Sequence, residues 1–272
     1  MNRPRLPLSL DWEDWFQLCC PPYDAPEALD RYACRLPLAT DLALGLCAEL
    51  GATATWFCLG DQARRHPDLL RRIVARGHQV GLHGLTHRRA FELDRPAFRA
   101  ALRDGKALLE DLSGRAVVGY RAPEWSLRGP AEDWWEELAE LGFAYDSSRA
   151  PLALLGDPRR PTRAHRLPGG LWELPPPVLW SGPVRSPLWG WGLRVLPFGL
   201  LRRALEDLAL ADAGTPLVLH PWELDEGQPA LPGASFGHRF AHGAGLRGHG
   251  DRLRDLWRGF RLISLEAWLA DA

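Results

Sequence analysis

The chain lacks the features that mark membrane proteins, nucleic-acid-binding proteins and disulfide-rich proteins. Its 272 residues contain no apolar run long enough to cross a bilayer. The 33 Lys and Arg residues nearly balance the 34 Asp and Glu residues, so the formal net charge is −1. No general attraction to nucleic acid or to anionic lipid is therefore expected. The five cysteines are odd in number and show no CxxC spacing, which indicates free thiols.

The amino-terminal segment also lacks the apolar stretch that a secretory signal needs. Together with the free thiols, this predicts a cytoplasmic protein. A chain of this length can bury a sizeable core, and we expect one domain over residues 1–272. The cysteines stand apart in sequence from the histidine motif described below, so we expect them to take no part in it.

Strand and helix signals alternate along most of the chain. Apolar runs that read as strands cover residues 6–10, 52–59, 77–82, 117–121, 143–146, 171–174 and 217–220. Helices are predicted between them, over residues 40–50, 66–76, 94–112, 131–141 and 198–210. This alternation predicts a parallel sheet, closed or nearly closed, with right-handed crossovers. Residues 150–196 are dense in Pro and Gly and rich in Trp, and we interpret them as long loops over the barrel mouth.

The segment HGLTH carries the clearest chemical signal. It places His83 and His87 four residues apart, directly after the run GHQVGL. Two imidazoles at this spacing converge on one divalent ion if the segment makes a single helical turn. Imidazole suits zinc, cobalt, nickel or iron and does not choose among them. Taken alone, the pair is equally compatible with two unrelated surface histidines.

A metal that catalyses hydrolysis usually has three protein ligands, so a carboxylate should follow another strand. The segment LSLDWEDWF provides Asp11, Glu13 and Asp14 at the end of the first strand. Three carboxylates this close repel one another unless a cation, an arginine or a proton separates their roles. The other interpretation is an acidic first turn of a helix.

Three further polar residues end predicted strands. Arg121 can grip a carboxylate with two hydrogen bonds and is a plausible partner for Asp11. His220 follows the run PLVL and suits a general acid, and Asp146 ends a short strand. Each of them alone could be a cap or a core polar residue. Their shared position at the carboxyl ends of strands is where α/β barrels build active sites.

In their residues and in their order along the chain, these motifs resemble those of the polysaccharide deacetylase family, also called carbohydrate esterase family 4 or the NodB-homology family. The matching segments are LDWEDWF, HGLTH, YRAP, YDSS and LVLHPWE. YRAPEWS, HPWELD and the ending QPALPGASFGHRF are most similar to the subgroup found with bacterial exopolysaccharide and exosortase loci. The resemblance runs from about Leu8 to the end of the chain, with residues 226–272 as a subgroup-specific extension.

The resemblance implies a distorted barrel of about seven strands, the α/β fold called NodB-like, and a metal-dependent deacetylase. The substrate would be an N-acetylated sugar of an exopolysaccharide or of its lipid-linked precursor, and zinc is the expected cofactor. Asp11 would act as base and His220 as acid. Arg121 would orient Asp11, and Asp146 would hold either His220 or the substrate. A backbone N–H near Pro123 would stabilise the oxyanion, and the substrate-binding residues are expected to be Pro123, Trp125 and Trp222.

Two departures from the family pattern leave questions open. Common members have two adjacent Asp residues in the first motif, whereas here Asp11 is followed by Trp12, Glu13 and Asp14. Strand alternation favours Glu13 as the metal ligand, while residue type and a bulge favour Asp14; we favour Asp14. Glu124 follows Pro123 where many members carry an aromatic residue, so the acceptor pocket can differ.

Other functions remain to be weighed. A metal-independent amidohydrolase of the same superfamily, acting on ureido compounds, would lack the histidine pair. A non-catalytic carbohydrate-binding relative would be expected to lose Asp11 or His220. A peptidoglycan or chitin deacetylase would need export, for which the amino terminus gives no signal.

Overall fold

The computed structural model describes residues 3–25, 27–181 and 184–272. The strands are β1 (Arg5–Trp12), β2 (Thr55–Cys58), β3 (Gln79–Leu82), β4 (Gly119–Tyr120), β5 (Tyr145–Asp146), β6 (His165–Arg166), β7 (Trp172–Glu173), β8 (Val178–Ser181), β9 (Val184–Pro187), β10 (Leu217–Leu219) and β11 (Arg261–Ile263). The helices are α1 (Ala28–Arg31), α2 (Leu36–Leu50), α3 (Gly60–Arg65), α4 (Pro67–Ala75), α5 (Arg95–Ser113), α6 (Trp135–Glu140), α7 (Trp191–Val195), α8 (Phe198–Leu210), α9 (Phe236–Gly243), α10 (His249–Trp257) and α11 (Leu265–Leu269).

Seven parallel strands form the main sheet, in the order β10-β1-β2-β3-β4-β5-β7. They are the seven strands predicted from the sequence. β6 adds antiparallel to β7, and β11 pairs with the first half of β1. Among the described strands β10 and β6 do not pair with each other, so the sheet is an incompletely closed barrel. Its parallel order brings the carboxyl ends of all seven strands to one edge, where the candidate site lies.

Helices cover the sheet because its central strands are apolar on both faces. Seven of the eight residues of β1 are buried, and all four of β2 are buried, as expected for parallel strands between layers of helices. The predicted helix signals also hold. Asp94 caps α5 by accepting a hydrogen bond from the Ala97 N–H at 2.7 Å, and Gly51 ends α2 in the left-handed conformation at φ 61°.

Two parts of the chain are more ordered than the sequence suggested. Besides the predicted strand β7, residues 150–196 contain β6, the hairpin β8–β9 and α7, so this segment is not loop throughout. Residues 226–272 contribute β11 to the main sheet, and the Glu266 carboxylate accepts hydrogen bonds from Thr55 and Tyr145. The carboxyl-terminal segment is therefore part of the barrel. In the described part of the chain, no helix has the length and apolarity that crossing a membrane requires.

Candidate metal centre and active site

Six of the predicted site residues lie around one cavity of about 180 Å³ at the carboxyl ends of the strands. Asp11 comes from the end of β1, and His83 and His87 follow β3. His220 follows β10. Trp125 and Trp222, predicted to bind substrate, also line the cavity. Residues 137 positions apart in sequence, His83 and His220, thus share one site.

Glu13, His83 and His87 form a cluster that could hold a metal ion. One carboxylate oxygen and two ring nitrogens, one from each residue, all lie within 4.8 Å of one another. The Glu13 Oε2 atom is 2.8 Å from His87 Nε2 and 3.6 Å from His83 Nε2. The same oxygen is buried and accepts no hydrogen bond of good geometry from the described residues. A buried carboxylate without such a partner is costly, so the residues present fit a divalent cation.

The His83 ring is already oriented for this task. Its Nδ1 lies 2.8 Å from the backbone carbonyl of Arg121, which can only accept, so Nδ1 carries the proton. The Nε2 atom that faces Glu13 is then free of hydrogen in the neutral ring. A carbonyl partner of this kind fixes the tautomer of a metal-ligating histidine.

The loop after β3 brings the two histidines together without the helical turn expected from the sequence. Residues 83–89 contain no helical turn, and residues 85–87 bend the chain. The carbonyl groups of Gly84 and Leu85 accept hydrogen bonds from the first N–H groups of α3, those of Gly60 and Asp61. Gly84 has φ +98°, and a Cβ there would lie 2.9 Å from the Thr86 carbonyl. Only glycine adopts this turn without strain.

Asp14, which we favoured as the acidic ligand, faces away from the histidines. Its carboxylate accepts hydrogen bonds from the backbone N–H groups of Trp15, Arg35 and Leu36, at 2.9, 2.9 and 3.2 Å. It therefore satisfies the amino terminus of α2 rather than a metal site. The preference for Asp14 is corrected, because the alternative, Glu13, is the carboxylate that joins the histidines.

Asp11 and Arg121 make the contact expected from the sequence. Arg121 Nη1 donates to Asp11 Oδ1 at 2.6 Å, and both side chains are buried. The guanidinium also donates to Ser147 Oγ at 2.9 Å and lies 4.2 Å from the centre of the Phe57 ring. Held on three sides, Arg121 fixes the orientation of Asp11 and leaves its Oδ2 facing His220, whose Nε2 is 3.8 Å away.

Glu223, which sequence reasoning missed, is a further carboxylate beside His220, whose backbone N–H donates to Glu223 Oε2 at 3.2 Å. Glu223 Oε2 lies 3.6 Å from His220 Nδ1, and Glu223 Oε1 lies 3.5 Å from the Arg194 guanidinium. Burial lowers the pKa of His220, but Glu223, Glu13 and Asp11 together raise it to about 9. Burial raises the pKa of Glu223, and Arg194 and His220 outweigh it and bring that pKa to about 2. The three-residue spacing in HPWE was the signal available in the sequence.

Asp146 does not reach His220, so the expectation that it holds this histidine is wrong. Its carboxylate accepts hydrogen bonds from the Ser147 N–H at 2.9 Å and from the Ser148 hydroxyl. Burial raises the pKa of Asp146, and burial together with the Asp146 charge raises the pKa of Glu173 well above its usual range. Ser148 Oγ in turn accepts from the Ala122 N–H at 2.8 Å. Asp146 thus supports the segment that follows Arg121 instead of touching the cavity.

The segment Pro123–Trp125 has an unusual backbone beside the cavity. Glu124 and Trp125 have φ of 51° and 50°, a region that residues other than glycine rarely adopt. Such outliers are retained where the surrounding structure determines them, often at functional sites. The N–H groups of Trp125 and Ser126 are bonded to Ala122 and Pro123. This leaves the Glu124 N–H as the candidate for the oxyanion donor expected near Pro123.

Tryptophans form the apolar walls of the cavity. The Trp125 ring packs at 4.8 Å from that of Trp189, which comes from the segment interpreted as loops. Trp222 stacks on His220 at 5.3 Å and on His242 at 4.3 Å. Flat indole rings beside polar groups suit a sugar ring, whose faces are apolar and whose edge is polar.

One cysteine lies against the histidine cluster, contrary to the expectation that the thiols stand apart. The Cys19 Sγ atom is 3.4 Å from His87 Nδ1 and 3.2 Å from the His87 carbonyl. The two residues are 68 positions apart, and no signal in the sequence pairs them. All five cysteines are free, as predicted.

Comparison with known proteins covers both halves of the chain. Residues 30–145 match the profile of the family described as polysaccharide deacetylase, and residues 147–270 match a domain of unknown function, DUF3473. The first match includes His83, His87 and Arg121, and the second includes His220 and Glu223. Over residues 30–145 the chain is therefore similar to the polysaccharide deacetylase family.

Curated relatives show the same similarity. A peptidoglycan deacetylase of Helicobacter pylori is 30% identical over 125 residues, which cover 46% of this chain and 42% of that protein. A chitooligosaccharide deacetylase of Rhizobium leguminosarum bv. trifolii is 45% identical over 51 residues, 19% of this chain and 24% of that protein. The matched segments thus span less than half the length of these relatives.

The fold is also that of the family. A Mycobacterium smegmatis structure named as a polysaccharide deacetylase superposes with a TM-score of 0.67, at 23% identity, over 100% of this chain and 92% of that one. At this identity the likeness concerns the fold alone, and it confirms the distorted NodB-like barrel predicted from the motifs.

Proposed function

We propose that the chain is a metal-dependent deacetylase that hydrolyses the acetyl group of an N-acetylated sugar. The observation that carries the proposal is that one cavity holds two separate sets of residues, one suited to bind a metal and one suited to move protons. Glu13, His83 and His87 can hold a cation, while Asp11 and His220 stand beside them with no part in that cluster. A hydrolase needs both a Lewis acid and groups that move protons, and this site has candidates for each.

The metal, expected to be zinc with cobalt, nickel or iron as alternatives, would be held by Glu13, His83 and His87. When bound, it would supply Lewis acidity to the attacking water and to the acetyl carbonyl. Asp11 accepts a proton from the water, and the buried Arg121 holds the Asp11 carboxylate in a fixed orientation. The Glu124 N–H donates to the oxygen on which negative charge develops, a contribution of about 3 to 4 kcal/mol for a well-placed donor.

His220 delivers a proton to the leaving amine. Only protonated His220 can act as the general acid. Burial opposes the protonated form, but the negative charges of Glu223, Glu13 and Asp11 outweigh burial and favour it. Glu223 Oε2 lies 3.6 Å from Nδ1 on one side of the ring, and on the other side Nε2 lies 3.8 Å from a carboxylate oxygen of Asp11 and 3.8 Å from one of Glu13. The tryptophan walls would hold the sugar ring against these groups.

We further propose that the substrate is an exopolysaccharide or its lipid-linked precursor and that the protein works in the cytoplasm. The support is the resemblance of YRAPEWS, HPWELD and QPALPGASFGHRF to proteins of exopolysaccharide loci. The five free cysteines are compatible with a reducing compartment. The histidine cluster and the retained Asp11 and His220 disfavour a metal-independent amidohydrolase and a non-catalytic sugar-binding protein.

The test is acetate release from N-acetylated oligosaccharides and from exopolysaccharide precursors, with and without a chelator. We expect release by the wild-type protein, loss with chelator and recovery on adding zinc or cobalt. Asp11→Asn should abolish most release while keeping the metal. Asp68→Asn is the control, because its side chain is 91% exposed and remote from catalysis in this scheme. Chelator-resistant release at the wild-type rate would contradict the proposed metal dependence.

A further inference from the structure

We infer that Cys19 is a positioning residue for the metal site, which it serves by fixing the ring of His87. This inference rests on the metal-binding part of the proposed function. A histidine that binds metal through Nε2 needs an acceptor for the proton on Nδ1, and that partner sets both tautomer and ring orientation. His83 uses the Arg121 carbonyl for this purpose. Cys19 occupies the corresponding place beside His87.

The contact between Cys19 and His87 is two-sided. The thiol donates to the His87 carbonyl at 3.2 Å, and its sulfur lies 3.4 Å from His87 Nδ1, where it can accept the ring proton. The opposite ring nitrogen, Nε2, then points to Glu13 Oε2 at 2.8 Å. The Cys19 thiol thus contacts both the ring and the backbone carbonyl of His87. These two contacts restrict the orientation of the His87 ring.

Cys19 is itself held in place. Its backbone N–H donates to Glu124 Oε1 at 3.2 Å, and Glu124 Oε2 accepts from Arg89 Nε at 2.8 Å. The side chain is buried, with 4% of its surface exposed. Glu124 belongs to the strained segment that carries the candidate oxyanion donor. Glu124 therefore links the segment that carries the candidate oxyanion donor to Cys19, which lies beside the metal cluster.

A thiol differs chemically from the carboxylate that often fills this role. It is a weak and neutral acceptor, so it orients the ring without adding a negative charge to a buried cluster that already contains Glu13. A serine hydroxyl has the same donor and acceptor capacity. Valine has a similar volume but no polar atom, and alanine lacks both volume and polarity. These three replacements separate hydrogen bonding from packing.

The experiment measures metal affinity rather than activity. Purified Cys19→Ser, Cys19→Val and Cys19→Ala are titrated with cobalt and with zinc against a competing chelator, and the visible absorption of bound cobalt is recorded. We expect Cys19→Val and Cys19→Ala to bind about 10-fold more weakly, the lower end of the range for losing an outer partner of a metal ligand. Their cobalt spectra should shift, while Cys19→Ser should keep the wild-type affinity and spectrum.

Cys47→Ala is the matched control. Cys47 is as buried as Cys19, with 4% exposure, but it lies in the apolar core on α2. Its replacement should lower thermal stability without changing metal affinity. Equal affinity in the wild type and Cys19→Val would overturn the inference, and so would equal weakening in Cys19→Ser and Cys19→Val, since packing alone would then explain the loss.

Failure of the proposed function has a different signature. If the wild-type protein itself binds neither cobalt nor zinc, the metal site is wrong, and no ligand remains for Cys19 to position. If the wild type binds metal and the Cys19 variants match it, the metal site stands and only the role of Cys19 is refuted. Thermal unfolding of each metal-free variant shows whether it is folded before the titration.

Discussion

Replacing Glu13 and Asp14 separately gives the sharpest test of the metal site. The two residues are adjacent and both buried, yet the structure gives them different tasks. Glu13→Gln should lose the metal, since it removes the negative ligand that faces His83 and His87. The affinity should fall by more than the ~10- to 100-fold that loss of an outer partner costs. Asp14→Asn should keep the metal.

The magnitudes follow from linkage. At a metal concentration 100 times the dissociation constant, binding adds about 2.7 kcal/mol to the free energy of unfolding. For a domain of this size, that is a rise in Tm of about 5 to 11 °C. Wild-type protein and Asp14→Asn should show this rise on adding zinc, and Glu13→Gln should not.

Asp14→Asn should instead be less stable with or without metal. Its carboxylate accepts three backbone hydrogen bonds, two of them from the start of α2. Weakening them should cost about 1 to 3 kcal/mol. The assay is thermal unfolding with chelator and with zinc, together with metal analysis of the dialysed proteins. The assignment is refuted if Glu13→Gln retains the zinc-dependent rise and Asp14→Asn loses it.

Three other predictions test catalysis and stability. His220→Ala should keep the metal and lower kcat for an N-acetyl sugar by about 10²-fold or more. The loss should be smaller for an aryl acetate, because its leaving group needs little protonation. Equal losses for both substrates would argue against a general acid. Tyr145→Phe should lower the free energy of unfolding by about 1 to 3 kcal/mol, because the buried Tyr145 hydroxyl donates to Glu266 at 2.5 Å; an unchanged midpoint in urea would contradict this. Burial and Arg76 lower the pKa of His78 to about 4. Below about pH 6.5 the unfolded chain takes up a proton at His78 that the folded chain resists. The free energy of unfolding should therefore fall between about pH 6.5 and 4, by about 3 kcal/mol at most. His78→Gln should flatten stability over that pH range, and an unaltered slope would exclude the mechanism.

The sequence alone determined the parallel strands of the barrel and most of the candidate site residues. The alternation of short apolar runs with capped helices predicted all seven parallel strands, because hydrophobic periodicity reports which backbone segments are buried. Parallel strands in turn force their carboxyl ends to one edge. Asp11, His83, Arg121 and His220 could therefore be expected to meet, and the structure places them within one site.

Tertiary structure decided which neighbouring side chain does which task. Glu13 and Asp14 differ by one position, and their roles depend on the distant start of α2, whose N–H groups take up Asp14. Asp146 ends β5 and Glu223 follows β10, but only Glu223 lies on the turn that carries His220. Cys19 meets His87 only because the loops after β1 and β3 are adjacent in the folded chain. Such pairings cannot be derived from local periodicity, because they depend on the paths of the loops. The loop paths are fixed by hydrogen bonds to elements far away in sequence.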